Sequence, residues 1–233
     1  MAEKSTHDLL SVLYEDNHLL IINKQCGELV QADKTGDMSL MEKCRDYLKK
    51  KYNKPGNVFL GLPHRLDRPA SGIVIYAKTS KALGRMTEIF RKREIRKIYW
   101  AVCCGNPPEE EGLIENFLLK NEKQNKSYIV PENRKGAKKS SLSYKWKGNS
   151  DRYSFLEVEL HTGRHHQIRC QLAGTGCVIR GDLKYGAPRS NRNGGIDLLA
   201  RKVIFTHPVS GKELGITAPV PDGPLWEMFE KTV

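Results

Sequence analysis

His64-Arg65-Leu66-Asp67, followed by Ser71-Gly72 and the apolar run Ile73-Val74-Ile75-Tyr76 into Ala77-Lys78, sets one carboxylate among cations at the threshold of a strand. A short apolar run bounded by turn formers reads as a strand buried on both faces. Asp67 then stands at the strand's mouth, where a carboxylate can act as a nucleophile. A second dense cluster, Thr162-Gly163-Arg164-His165-His166-Gln167-Ile168-Arg169, is the candidate to supply its cationic partner.

Outward from that strand, residues 12–15 and 19–23 read as two short strands around a turn at Asp16-Asn17. Residues 39–52 read as a helix, with Ser39 and Glu42 spaced as a capping box and Met41, Cys44 and Leu48 at helical intervals. The pattern predicts a second helix over 80–93, with Leu83, Met86 and Phe90 on one face and Lys81, Arg85, Arg91 and Lys92 on the other. Ile98, Trp100 and Val102 alternate with Tyr99, Ala101 and Cys103 as in a strand. Further strands are expected at 113–119, 128–130, 142–146, 154–160 and 203–206. A helix is expected to start near His165 and stop before Gly174, and a closing helix covers 224–231. Strands outnumber helices and do not alternate strictly with them, which argues for an α+β fold with a mostly antiparallel sheet. Residues 1–8 are polar and expected to be loose, leaving 9–233 as one domain. Two basic, Gly-containing loops stand out, at 131–139 (Arg134, Lys135, Lys138, Lys139) and 187–195 (Arg189, Arg192); each is a phosphate clamp or a solvated loop.

The composition narrows the partner. With 233 residues, 39% hydrophobic and 28% charged, the chain has the make-up of a water-soluble globular domain. Its net charge of +12 favours a polyanion, nucleic acid first. The six cysteines (Cys26, Cys44, Cys103, Cys104, Cys170, Cys177) form no CxxC pair, and Cys103-Cys104 in an apolar run reads as core filling. Free thiols suit a reducing, cytoplasmic setting. The N-terminus lacks the apolar core of a signal peptide, and no apolar run nears the ~18 residues of a membrane span.

Three residues carry the chemistry. A lone Asp after a turn is most often a cap or a surface charge. Asp67, however, lies among His64, Arg65 and Arg68, and a guanidinium beside a carboxylate favours and orients the charged form. If the segment from His165 is helical, His165, Arg169 and Leu172 share a face at i, i+4 and i+7. Apolar Ile168 and Leu172 make Arg169 partly buried, and a buried Arg needs a carboxylate. Tyr99 is a sheet-face aromatic or a phenol stacked on a base, and Lys97 on the same strand face would add positive field near it. His161, His165, His166 and Cys170 do not assemble a ligand set with an acidic third member, so no metal is expected.

Together, His64-Arg65-Leu66-Asp67 with Ser71-Gly72 and Ala77-Lys78, Lys97-Ile98-Tyr99-Trp100-Ala101, and Thr162-Gly163-Arg164 with His166-Gln167-Ile168-Arg169 and Leu172-Ala173 form an ordered set. Gly181-Asp182, Tyr185-Gly186, Phe205-Thr206-His207-Pro208, Gly211 and Ala218-Pro219 continue it. The set resembles the RluA-like family of pseudouridine synthases over about residues 10 to 222. The resemblance implies a long, mixed but mainly antiparallel sheet flanked by helices and loops, with a central catalytic cleft. It implies that a uridine in RNA loses its N-glycosidic bond, the uracil turns, and C5 joins C1′, with no metal or organic cofactor. By resemblance Asp67 matches the nucleophile and Arg169 the arginine that pairs with it. Tyr99 matches the residue that stacks on the base and takes the C5 proton. Leu172 matches an apolar pocket contact, and Arg65 the side chain that fills the space of the flipped nucleotide. His64, Lys97, Arg164 and Gln167 of the same motifs are placed with the substrate-binding residues. His165 stands where the family often has Thr, Gln171 where a His is common, and Leu199 before Ala200 where His-Ala is frequent.

A chain that opens this close to its first motif is expected to lack the S4-like domain of many relatives and to bind RNA through its own basic surface. A buried or stacked uridine must be extruded before it can react, and A-form RNA is read by shape and phosphates, which suits the basic excess. Transfer RNA is the expected substrate, with ribosomal RNA next and a monomer as the working form. A catalytically silent RNA-binding protein of the same fold is the main alternative. A glycosidase would need a second carboxylate opposite Asp67, and none stands out.

Overall fold

The computed structural model describes residues 10–233, so the stretch expected to be loose, 1–8, lies outside the described residues. In chain order the elements are β1 (Val12–Glu15), β2 (Leu19–Lys24), α1 (Leu40–Lys51), β3 (Ser71–Ala77), α2 (Ser80–Lys92), β4 (Ile95–Cys104), β5 (Glu111–Asn121) and β6 (Lys126–Val130). Then follow β7 (Lys138–Asn149), β8 (Ser154–Leu160), α3 (Gln167–Gly174), β9 (Val178–Ile179), a single 3-10 turn (Leu183–Tyr185), β10 (Leu198–Thr206), β11 (Glu213–Thr217) and α4 (Pro224–Glu230). Every strand and helix expected from the sequence is present. The strands β9 and β11 are additions, and β7 takes in Lys138 and Lys139 from the expected loop. The chain divides into two compact units, one formed by the residues up to Ile95 with Lys202–Pro219, the other by Arg96–Arg201 with Val220–Val233. Strand pairings within each unit are antiparallel.

In the first unit β1, β2 and β3 pair in sequence, with Ile21 opposite Ile75 and Asn23 opposite Ile73. Both β2 and β3 are buried along their whole length. Their unbroken apolar runs therefore remove both strand faces from water, each full Ile or Leu burial contributing roughly 1.5–3 kcal/mol. The α1 helix begins where the capping box puts it: Ser39 Oγ accepts the Glu42 amide at 3.3 Å, and Glu42 Oε2 accepts the Ser39 amide at 2.7 Å. Leu40, Cys44 and Leu48 are its buried stripe, while Lys49, Lys50 and Lys51 complement its C-terminal dipole. The α2 helix is capped by Thr79 and ends at Arg93 in the left-handed region (φ 63), with Ala82 and Met86 buried and its basic face exposed.

Glu15 at the end of β1 collects four donors: Tyr47 and Lys51 on Oε2 at 2.9 and 2.7 Å, Tyr52 and Lys78 on Oε1 at 2.7 and 2.8 Å. Burial pushes this carboxyl up, but the four hydrogen bonds outweigh it and bring the pKa down to about 2. His207, in the turn between β10 and β11, accepts the Val209 and Ser210 amides on Nδ1 at 3.2 and 3.0 Å, and its Nε2 lies 3.0 Å from Asp16 Oδ2.

In the second unit the strands run β4-β8-β7-β5-β6 side by side, and β9 pairs with the far end of β4. Trp100, Phe155 and Phe229 form an aromatic centre. Phe155 meets Trp100 edge-on at 5.1 Å and stacks on Phe229 at 4.3 Å, which docks α4. Cys103 is fully buried, as core filling requires, while Cys104 is half-buried. The α3 helix packs on β6 and β9.

Candidate functional site

Asp67 lies on a loop that leads into β3 and is tied down from several sides within the first unit. Gly61 exchanges two backbone hydrogen bonds with Ala77, at 2.9 and 2.8 Å, and a Cβ there would sit 2.5 Å from Leu83 Cδ2. His64 Nε2 accepts the Ile75 amide at 3.0 Å, and its ring stacks on Phe90 at 4.7 Å. An accepting Nε2 leaves the proton of the neutral ring on Nδ1. His64 is thus a strut between the loop, β3 and α2. Leu66 is buried, Asp67 is half-buried and Arg65 is exposed. The Asp67 carbonyl accepts the Ala70 amide at 3.1 Å. Arg68, its neighbour in sequence, is used by other groups: Nε donates to Gly27 O at 2.9 Å and Nη2 pairs with Asp37 at 2.7 Å.

Lys24 is the main support that the sequence reading missed. It is fully buried at the end of β2, and its ammonium donates to the carbonyls of Gln25, Arg68 and Ala70 at 2.8, 3.0 and 2.6 Å. Two of these carbonyls belong to the turn directly after Asp67. Burial pushes the Lys24 pKa down to about 8, against the opposing pull of Glu28, Cys26 and Asp67. A lysine closing an apolar run was the available signal, since a buried ammonium must find acceptors.

The other two expected reactive residues lie in the second unit. Tyr99 sits in the middle of β4, opposite Val158 of β8, and is half-buried. Lys97, two residues before it on the same strand face, is half-buried as well. Arg169 is in α3 and only 4% exposed, more deeply buried than its apolar neighbours suggested. Its Nε and Nη2 grip the two oxygens of Asp182 at 2.7 and 2.8 Å. Its Cζ lies 5.2 Å from the centre of the Tyr185 ring. Gly181 makes this turn possible: its φ is +85, and a Cβ there would meet Asn191 Cγ and Gly195 O at 2.7 Å.

The helix does not begin at His165, as the sequence suggested. It begins at Gln167, with His166 as N-cap in the left-handed region (φ 51). The preceding turn is closed by Gln167, whose Oε1 accepts Thr162 Oγ1 and the Arg164 amide at 2.7 and 3.0 Å while Nε2 donates to Ser141 O at 3.0 Å. His165 is therefore off the Arg169–Leu172 face. Its carbonyl accepts Ser127 Oγ at 2.7 Å, and its ring stacks on His166 at 3.8 Å. Leu172 is buried, and Arg164 Nε donates to Lys139 O at 3.0 Å, which places the Thr-Gly-Arg turn beside the basic start of β7. Tyr185 accepts the Ser127 amide at 2.9 Å and stands 3.1 Å from His166 Nδ1. Among the described residues, no group of three or more His, Cys, Asp or Glu is placed to hold a metal ion, and no helix is long and apolar enough to cross a membrane.

The sequence model of the family described as RNA pseudouridylate synthase matches residues 18–174. The chain belongs to this family. Asp67, Tyr99 and Arg169 all fall inside the matched stretch, while Asp182 and Tyr185 lie beyond it. Among curated relatives, "Ribosomal large subunit pseudouridine synthase C" of Buchnera aphidicola is 34% identical over 223 residues, 93% of this chain and 69% of that protein. The protein of the same description from Vibrio cholerae is 34% identical over 215 residues, 90% of this chain and 65% of its own. The chain thus spans about two thirds of the length of the curated relatives it matches. The solved structure of "Human RNA Pseudouridylate Synthase Domain Containing 4" superposes with a TM-score of 0.79 at 22% identity, covering 95% of this chain and 92% of that one. The fold is accordingly the α+β fold of the pseudouridine synthases.

Proposed function

We propose that this chain converts uridine to pseudouridine in structured RNA, with Asp67 as the nucleophile. The observation that carries this reading is the family match across 18–174, which takes in Asp67, Tyr99 and Arg169 together. In the proposed reaction the N1–C1′ bond breaks, the uracil turns, a C5–C1′ bond forms, the C5 proton leaves, and N1 gains a proton. Whether Asp67 attacks C1′ or the uracil ring, it must be presented rigidly, and the Lys24 and His64 contacts supply a rigid base for its loop. Tyr99 is proposed to stack on the base and accept the C5 proton, with Lys97 adding positive field, and Arg169 to pair with the nucleophile. Arg65, exposed beside Asp67, is proposed to fill the gap left by the extruded nucleotide. Arg164 is proposed to meet RNA phosphates. His64, Gln167 and Leu172 would act through the architecture described above.

Of the two RNA classes expected from the sequence, ribosomal RNA gains support from relatives named for the large ribosomal subunit. Transfer RNA, the first expectation, becomes the second candidate. The net charge of +12 supports a polyanionic substrate held largely by its backbone.

The test is to incubate the protein and Asp67→Ala with total RNA from cells lacking the gene and to map carbodiimide-reactive sites. The parent should introduce pseudouridine at defined positions and Asp67→Ala essentially none, while both bind RNA equally. Equal product from both would remove Asp67 from its role, and binding without product would leave an RNA-binding protein of the same fold.

A further inference from the structure

We infer that Asp182, backed by Tyr185, is the positioning residue that aims the Arg169 guanidinium; this rests on the reaction proposed above, in which Arg169 takes part. A guanidinium held at two of its nitrogens by both oxygens of one carboxylate has its plane and the directions of its remaining N–H groups set. The Asp182 contact has this form, with Nε to Oδ2 at 2.7 Å and Nη2 to Oδ1 at 2.8 Å. Neither side chain is more than 5% exposed, so water competes little for the pair. A ring on the guanidinium's flank restricts rocking out of that plane, and Tyr185 supplies it at 5.2 Å.

Both groups come from one turn. The Asp182 carbonyl accepts the Tyr185 and Ala187 amides, each at 3.0 Å, and Gly181 supplies the positive φ just before it. The Tyr185 ring is itself pinned, since its hydroxyl is bound by the Ser127 amide at 2.9 Å and lies 3.1 Å from His166 Nδ1. Burying an ion pair is often no more stabilising than packing apolar groups in its place. A site that spends burial, two hydrogen bonds and a pinned aromatic on one arginine is built for orientation.

The experiment compares Asp182→Asn, Arg169→Lys, Arg169→Ala and the double variant Asp182→Asn/Arg169→Ala with the parent, on total RNA from cells lacking the gene. Saturating and sub-saturating rates separate kcat from KM, and melting curves report folding. If Asp182 aims Arg169, Asp182→Asn lowers kcat by about 10²-fold, the scale of an ångström-level misplacement, with KM within about threefold. Arg169→Lys, which keeps the charge but loses the fork, falls by a similar factor. The double variant is no slower than Arg169→Ala, because the two residues act as one unit. Should Asp182→Asn fail to fold, Arg169→Lys decides: near-parental kcat means charge alone suffices and the inference falls. Losses that multiply in the double variant would likewise overturn it. A parent that forms no pseudouridine defeats the proposed reaction and this inference with it. A parent that turns over while Asp182→Asn and Arg169→Lys keep its kcat defeats this inference alone.

Discussion

Arg169 and Asp182 meet through two parallel charge-assisted hydrogen bonds, 2.7 and 2.8 Å long, although they stand thirteen positions apart, with the end of α3, a turn and the short β9 between them. The pair is buried to within 5% on both sides, so its loss is expected to register in stability before any activity is measured. Removing one partner strands a charge in a poorly solvated place. Asp182→Ala should lower the unfolding free energy by about 3–5 kcal/mol in urea denaturation. Replacing both partners, as Asp182→Leu with Arg169→Met, should recover most of that loss. A cost below about 1 kcal/mol for Asp182→Ala would mean that the guanidinium reaches water in solution.

Lys24 makes the comparable prediction in the first unit. Its ammonium binds the carbonyls of Gln25, Arg68 and Ala70; in Lys24→Met the Gln25 and Arg68 carbonyls keep the Glu28 and Gly27 amides at 3.4 and 2.8 Å, while Ala70 O loses its 2.6 Å partner in a buried spot. An orphaned buried acceptor costs about 1–3 kcal/mol, so a net loss in that range is expected. Because two of the carbonyls shape the turn after Asp67, turnover in the folded variant should fall more than RNA affinity does. A variant as stable as the parent would show that the turn re-forms its hydrogen bonds with water.

How far the sequence could be read depended on whether an element writes its own limits. Ser39 and Glu42 mark the start of α1, and the buried run around Ile73–Tyr76 marks β3, because capping and two-sided burial are local in sequence. β11 is different. Its residues Glu213 to Thr217 include a glycine, and Ile216 is their one buried member, so pairing with Lys202 to Thr206 of β10 makes the strand. β9 is two residues long and likewise exists by its pairing with Cys103 and Cys104. Asp67, Tyr99 and Arg169, the expected reactive residues, stood out by residue type and motif. The register of α3 did not, since a positive φ at His166 and the Gln167 side chain closing the turn are invisible to a periodicity argument. Asp182 was visible as part of a Gly-Asp pair, but nothing local tied it to Arg169. Such long-range supports are the part of a site that spacing alone does not expose.

Acid stability tests the Glu15 hub. Its carboxyl titrates at about 2 in the folded protein and near the ordinary 4.5 when unfolded. A depressed carboxyl contributes stability that is complete above the unfolded value and is lost as pH falls from about 4.5 towards 2. Two of its donors, Lys51 and Tyr52, face solvent, so the contribution is discounted to on the order of 2 kcal/mol. Urea denaturation at pH 6, 4 and 3 should therefore show a steeper fall for the parent than for Glu15→Gln, with Glu15→Gln the less stable protein at pH 6. Parallel curves would mean that the four donors contribute nothing net.

Tyr99 separates stacking from proton transfer. The strand register holds it in the middle of β4 opposite Val158, so exchanging its ring hydroxyl for hydrogen leaves backbone and ring position intact. Tyr99→Phe keeps the flat face a flipped uracil would lie on and removes the only atom able to accept the C5 proton from that side chain. If both roles belong to Tyr99, Tyr99→Phe should bind RNA as the parent does and lose a factor of ~10²–10⁴ in the rate of pseudouridine formation. The proton leaves C5, so uridine deuterated at C5 should turn over more slowly than ordinary uridine in Tyr99→Phe, where that step has become limiting. Tyr99→Leu should lose affinity for the extruded base as well as rate, with stacking on an aromatic contributing about 1–3 kcal/mol. A Tyr99→Phe protein with parental rate and no isotope effect would leave the ring with stacking alone, and the acceptor would have to be another group.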